Sequence, residues 1–247
     1  MKNSENWKET KFVFKKGKLR ANPNEKFVSV SSRLVANSVA KHYQENALSF
    51  FKGNFLDLGC GFAPLYSFYR NQVTSVTCAD WAQSMHQNPH LDVICDLNEN
   101  LPFDTEQFDS ILLSDVLEHI RKPEQLLNEI HRILRKDGVL IMNVPYYYCL
   151  HEEPHDYFRY TEFALKSMTT DAGLKLESLQ RTGGTLEIMT DLFAKNIRPI
   201  PLIGKPLCQF SQFLTWQLLN IKTIRKLNEK TAAKFPLGYF LIAKKLN

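Results

Sequence analysis

The segment Phe55-Leu56-Asp57-Leu58-Gly59-Cys60-Gly61-Phe62-Ala63 reads as a buried strand running into a glycine turn that should enter a helix. Gly59 and Gly61 permit tight turning of the backbone and close approach of a ligand, where a side chain would collide. A G-x-G alone is weak evidence, because glycine punctuates structure everywhere. Its surroundings strengthen it. Asp80 follows the next strand candidate, Ser75–Ala79, and stands 19 positions after Gly61. A carboxylate there can accept hydrogen bonds from both ribose hydroxyls. Asp96 follows a third candidate, Leu91–Cys95, where it can meet an adenine amino group. Three successive strands thus end in a glycine turn and two acids along one sheet edge, which is where open α/β sheets bind ligands.

Outward from this segment, β and α signals alternate. Phe108–Leu113 is a fourth strand. Pro123–Leu134 reads as an amphipathic helix with Pro123 in its first turn and Leu126, Leu127, Ile130, Ile133 and Leu134 on one face. Asp137-Gly138 turns the chain into Val139–Val144. A helix fits Thr161–Ala172, closed by Gly173, and strands fit Leu174–Leu179 and Phe235–Ala243. Upstream, Ser31 or Ser32 caps a helix running to about Ala47. The expected fold is Rossmann-like α/β: about seven strands, mostly parallel and covered by helices. A single domain is expected over 1–247. It divides into an irregular basic arm (1–27), a cofactor-binding core (28–182), a helical basic insertion (183–236) and a last strand (237–247). In the insertion, Leu207, Phe210, Leu214, Leu218, Ile221 and Ile224 predict one long helix over Leu207–Leu227.

The 247 residues are 44% hydrophobic, enough for a sizeable core. No apolar run approaches the ~18 residues of a spanning helix, and Met1–Arg20 has no apolar signal core. Five cysteines, an odd count without CxxC, argue against a disulfide framework or a cysteine zinc site and suit a reducing cytoplasm. The net charge of +5 is segregated: +5 over 1–27, −9 over 28–194 and +9 over 195–247. A basic tail on an acidic body suits an anionic partner, or is a solvated surface that binds nothing. The helix at 207–227 has four readings: peripheral membrane contact, a homodimer interface, a cover over the pocket, or core packing. Base rates favour packing or cover. No RNA-binding module is visible, so nucleic acid is not an expected partner.

The chain resembles the class I S-adenosylmethionine-dependent methyltransferases, small-molecule branch. The resemblance is carried by Asp57-Leu58-Gly59-Cys60-Gly61, Asp80-Trp81, Asp96-Leu97 with Leu101-Pro102-Phe103, Phe108 to Ile120 (Phe-Asp-Ser-Ile-Leu-Leu-Ser-Asp-Val-Leu-Glu-His-Ile), and Arg132 to Pro145. It implies S-adenosyl-L-methionine as cofactor and an antiparallel last strand. It further implies that Gly59 and Gly61 approach the methionine part and that Asp80 holds the ribose. Trp81 would pack on the adenine, Asp96 would meet its amino group, and Ser114 would line the methionine side. Asp57, Cys60 and Leu97 complete the expected cofactor set. Ala63 departs from the third glycine of many members. The rival dehydrogenase fingerprint would place glycine or alanine where Pro64 stands, and proline has no N–H to offer a phosphate.

The loop Pro145 to Thr161 carries Tyr146-Tyr147-Tyr148 and His151-Glu152-Glu153-Pro154-His155-Asp156-Tyr157-Phe158-Arg159-Tyr160. His151 to His155 spells H-E-x-x-H, but Pro154 breaks the helix that this zinc signature requires, so no metal is expected. The functional reading is a substrate lid. Methyl transfer to a hydroxyl needs the acceptor aligned and its proton removed, and histidine is the usual base. His155 is the first catalytic candidate and His151 the second. Asp156 would orient an imidazole, Arg159 would hold an anionic group, and His119, Tyr147 and Tyr157 would face the substrate. The bland alternative is structural: the tyrosines pack, Arg159 pairs with an internal acid and Thr161 caps a helix. The expected activity is methylation of a small-molecule or glycan-like acceptor, O-methylation preferred. A non-catalytic cofactor-binding or membrane-surface scaffold is the alternative. The expected location is cytoplasmic, with a possible peripheral place at the membrane.

Overall fold

A computed structural model describes residues 1–82 and 88–246. The chain divides into two compact units. The first comprises Met1–Lys8, Asn46–Gln180 and Tyr239–Asn247; the second comprises Glu9–Glu45 and Arg181–Gly238.

The first unit is built on strands β3 (Asn54–Leu58), β4 (Ser75–Asp80), β5 (Val93–Ile94), β6 (Phe108–Ser114), β7 (Leu134–Pro145), β8 (Leu174–Thr182) and β9 (Gly238–Lys245). They form one seven-stranded sheet in the order β5-β4-β3-β6-β7-β9-β8. Pairing is parallel from β5 through β7, and the last strands run antiparallel. The expected α/β architecture is therefore observed. Parallel strands covered on both faces read as continuous apolar runs. Phe55, Leu56 and Leu58 of β3, Ile111–Leu113 of β6 and Leu140–Met142 of β7 are correspondingly buried.

Helices α2 (Tyr66–Tyr69), α3 (Pro123–Ile133) and α4 (Glu162–Asp171) belong to the same unit. Pro123 opens α3, whose Leu126, Leu127, Ile130 and Ile133 are buried as the spacing predicts. Thr161 caps α4 by accepting from the Ala164 N–H at 3.2 Å. Asp137-Gly138 does not end an element: β7 begins already at Leu134, with Asp137 at φ 60°.

The second unit corrects two expectations. The arm at 1–27 is not irregular throughout. Phe12–Lys15 (β1) and Lys18–Ala21 (β2) form an antiparallel hairpin. It turns at Lys16 (φ 52°) and Gly17 (φ 71°), two consecutive positive φ values that suit a tight hairpin. Phe12, Leu19 and Ala21 are its buried residues. Nor is there one long helix over 207–227. After α1 (Arg33–Asn46) and α5 (Thr185–Ile197) come α6 (Gly204–Asn220) and α7 (Lys222–Thr231), separated by extended Ile221 at ψ 116°. The turn lets α7 close the N-terminus of α5. Asn228 Oδ1 accepts from Leu186 N at 3.0 Å, and Thr231 Oγ1 accepts from Thr185 N at 3.0 Å. Backbone donors at a helix start need such partners, and a straight helix would not supply them.

Candidate active site

The site lies within the first unit, at the carboxyl ends of β3, β4 and β6. The turn after β3 has Gly59 at φ 70° and Gly61 at φ 49°. A Cβ on Gly59 would sit 2.6 Å from Val116 Cγ2, so only glycine fits beside the loop after β6. Ala63 also takes a positive φ, 48°, and Cys60 is buried beneath the turn. Asp80 meets the turn directly. Its Oδ2 accepts from Gly61 N and its Oδ1 from Trp81 N, both at 2.7 Å. The carboxylate is thus aimed at the glycine turn. Asp96 Oδ1 accepts from Asn98 N and Nδ2 at 2.9 Å, and Leu97 is buried beside it. Ser114 ends β6, paired in register with Asn143 of β7.

Asp57 behaves differently from the other expected cofactor residues. It is buried behind the turn, and its Oδ2 accepts from Tyr69 OH at 2.7 Å. Burial pushes its carboxyl up to about 7 against the Tyr69 hydrogen bond, and the charge of Asp80 adds to the rise.

A second group of site candidates is assembled from two loops. The 3-10 turn Leu117–His119 follows β6, and the loop at 146–160 follows β7. Hydrogen bonds join the two: Tyr157 N donates to Glu118 O at 2.9 Å, and the Tyr160 side-chain OH donates to Leu117 O at 3.1 Å. Residues 151–155 are not helical, so the H-E-x-x-H spelling lacks the continuous helix that this signature needs. Its two histidines diverge. His155 packs edge-on against Trp81, ring centroids 5.2 Å apart, and its Nδ1 lies 3.1 Å from Tyr157 OH. His151 instead faces His119, centroids 4.7 Å apart.

Between His119 and His151 lies Glu118, which sequence reasoning did not single out. Its side chain is 0% exposed, and Oε1 is 3.7 Å from Nε2 of each histidine. Neither carboxylate oxygen has a hydrogen-bond partner among the described residues. Burial raises its pKa, with the neighbouring histidine opposing. Burial disfavours the charge on His151, but Glu118 and Asp156 outweigh it and the pKa of the ring is raised. The available signal was an acid inside the apolar run Ile111 to Ile120.

Asp156 and Arg159 form the pair anticipated by the structural reading, with Arg159 Nη2 2.7 Å from Asp156 Oδ2. The guanidinium holds the Asp156 carboxyl down at about 2. Asp156 also accepts from His151 N at 3.0 Å, so it orients this loop. Tyr147 and Tyr157 are exposed on it.

These residues fit S-adenosylmethionine. A glycine turn that excludes a Cβ lies against a carboxylate suited to sugar hydroxyls, and a buried acid stands behind the turn.

Comparison with known proteins agrees. Residues 56–142 match the family model of the methyltransferase domain. An uncharacterized protein of Methanocaldococcus jannaschii is 27% identical over 93 residues, covering 38% of this chain and 45% of that protein. The chain therefore matches less than half the length of this curated relative. Among solved structures, one is the complex of the Haloferax volcanii Trm112 methyltransferase activator with its methyltransferase partner. It aligns at TM-score 0.54 and 17% identity, over 85% of this chain and 90% of that one. The S-adenosylmethionine-dependent methyltransferase of Mesorhizobium loti aligns at TM-score 0.54 and 12% identity, over 85% and 99%. At these identities the structures share the fold.

Proposed function

We propose that this chain, which belongs to the class I S-adenosylmethionine-dependent methyltransferases, methylates a hydroxyl of a small-molecule or glycan-like acceptor held under the loop at 146–160. The observation that carries the reading is the placement of His155, against Trp81 at the end of β4 and within reach of Tyr157 OH. The bound cofactor supplies an electrophilic methyl group. Asp80 and the turn at Gly59–Gly61 hold the nucleoside side. Trp81 walls the site between strand and loop. His155 takes the acceptor proton at Nε2, in the tautomer whose Nδ1–H donates to Tyr157 OH. Arg159, neutralised by Asp156, keeps the loop in shape rather than reaching for an anion. Tyr147 and Tyr157 offer exposed rings to a sugar or other flat apolar face.

Calorimetric titration with S-adenosylhomocysteine tests the cofactor half. The wild type should bind, and Asp80→Ala should bind more weakly by about 1–3 kcal/mol, the cost of losing a charged hydrogen-bond partner. Absence of binding by folded wild type would sink the reading. With binding established, labelled cofactor identifies the acceptor by screening hydroxylated small molecules and saccharides.

A second reading concerns where the enzyme works. No helix among the described residues is long and apolar enough to cross a membrane. The second unit nevertheless exposes large apolar side chains. Leu202 is 96% exposed, Phe210 62% and Trp216 55%, with Leu207, Phe213 and Leu214 also exposed on α6. The packing that base rates favoured for this helix is realised at Gly204, Cys208 and Thr215 rather than at its aromatics. Eight basic residues and one acid lie in the part of this unit from 195 to 238. Exposed aromatics beside cations suit an anionic bilayer surface. The protein should co-sediment with phosphatidylglycerol vesicles and not with phosphatidylcholine vesicles. Neutralising Lys222, Arg225 and Lys226, or changing Phe210 and Trp216 to serine, should release it. Failure to pellet with either vesicle, or a dimer in sedimentation velocity that the serine changes dissociate, would refute membrane docking.

A further inference from the structure

The cluster of Glu118, His119 and His151 is not explained by the cofactor site. Its three potential ligand atoms lie within 4.8 Å of one another. The Glu118 carboxylate is wholly buried, and neither of its oxygens is hydrogen-bonded among the described residues. A buried carboxylate left in this way is costly unless something compensates it. The two histidines do not do so by hydrogen bonding, because 3.7 Å is too long.

The second observation is how the rings are held. His119 Nδ1 is 2.9 Å from His155 O. His151 Nδ1 is 3.2 Å from Cys149 O and 3.3 Å from Asp156 Oδ2. Each acceptor keeps the proton on Nδ1 and turns Nε2 toward Glu118, where a cation would take the place of any proton on Nε2. A carbonyl or carboxylate behind the far nitrogen is the arrangement that orients metal-bound imidazoles. Asp156 is itself anchored by Arg159. The three ligand atoms are close to the spacing a cation needs: around zinc, with bonds of about 2.0–2.1 Å, ligands in a tetrahedron stand roughly 3.4 Å apart. A small inward movement of the two rings completes the site.

We propose that Glu118, His119 and His151 bind one divalent cation of the zinc class. Two imidazoles and one carboxylate favour Zn²⁺, Fe²⁺ or Co²⁺ over Mg²⁺ or Ca²⁺, which prefer oxygen. Three protein ligands leave a coordination position open, as in catalytic rather than structural sites. On the methyl-transfer reading, that position receives the acceptor oxygen and makes its proton easier to remove. The ligands come from two loops separated in sequence, so this is not the H-E-x-x-H pattern. His155, the second histidine of that pattern, contributes only its carbonyl, behind His119.

The test uses the full chain, stripped with chelator and titrated with Co²⁺ at neutral pH. Calorimetry should show one equivalent bound, and the visible spectrum should show bands of tetrahedral or five-coordinate Co²⁺ that Zn²⁺ displaces. His119→Gln and Glu118→Gln should each weaken binding at least about tenfold, while His131→Gln, remote on α3, should leave it intact. If Glu118→Gln does not fold, His151→Gln serves in its place. No stoichiometric Co²⁺ binding by wild type, or undiminished binding by the folded ligand variants, overturns the proposal. S-adenosylhomocysteine titrated into the same samples separates the two readings. Its binding without metal binding refutes the cation site alone; loss of both refutes the methyltransferase reading as well.

Discussion

Asp57→Asn is expected to be more stable than wild type at pH 8 and equally stable near pH 4. Native Asp57 holds its proton up to about 7, against an ordinary value of 3.8, because it is buried. Between these values the folded protein binds more protons than the unfolded chain. Stability therefore falls as pH rises through that window. Each pH unit costs up to about 1.4 kcal/mol, so the full effect reaches about 4 kcal/mol above pH 7. The asparagine amide imitates the protonated carboxyl: it accepts from Tyr69 OH as Asp57 does and carries no charge to desolvate. Urea denaturation of both proteins from pH 4 to pH 8 reads the difference directly, since other titrating groups cancel between them. Parallel stability curves would show that Asp57 does not titrate in this range.

The other large effect is on the chemistry. His155→Gln should lower kcat by about 10²–10⁴-fold, the usual contribution of a positioned general base. This equals roughly 3–5 kcal/mol of barrier. Glutamine fills similar space beside Trp81 and still reaches Tyr157, but it cannot take a proton. Affinity for S-adenosylhomocysteine should therefore be little changed. Transfer from labelled cofactor, measured with saturating acceptor from the screen, checks the rate. An undiminished kcat would remove His155 from the proton-transfer role and direct attention to the cluster at Glu118. Tyr157→Phe is the informative companion. It removes the partner of His155 Nδ1 while keeping the ring, so its effect on rate should be smaller than that of His155→Gln and of the same sign.

Much of the core was legible in the residues because its signals are local. The strand and turn at 54–63 announce themselves through an apolar run and two glycines within a few positions. Helix α3 does so through periodicity, Pro123 and an apolar face that the sheet duly buries. The hairpin at 12–21 was obscured because its alternating residues include lysine and arginine, which resemble a charged arm until Phe12 and Leu19 are seen buried. The break at Ile221 was hidden because apolar spacing runs unbroken from Leu207 to Ile224. The break brings Asn228 and Thr231 onto the first backbone donors of α5, about forty residues upstream, a contact no local pattern announces.

The residues alone determined the alternation of strands and helices from 54 to 182, the glycine turn with the acids that follow the next strands, and the identity of the histidine-bearing loop. These depend on backbone preferences and periodicities that act between near neighbours. Only the tertiary structure decided that Asp57 lies behind the turn rather than in it, that His155 goes to Trp81 while His151 goes to His119, and that Glu118 is buried between two imidazoles. Burial, and the charge state that follows from it, is set by what the rest of the chain brings alongside. For Glu118 that partner is a loop more than thirty residues away, which no local pattern around the acid can specify.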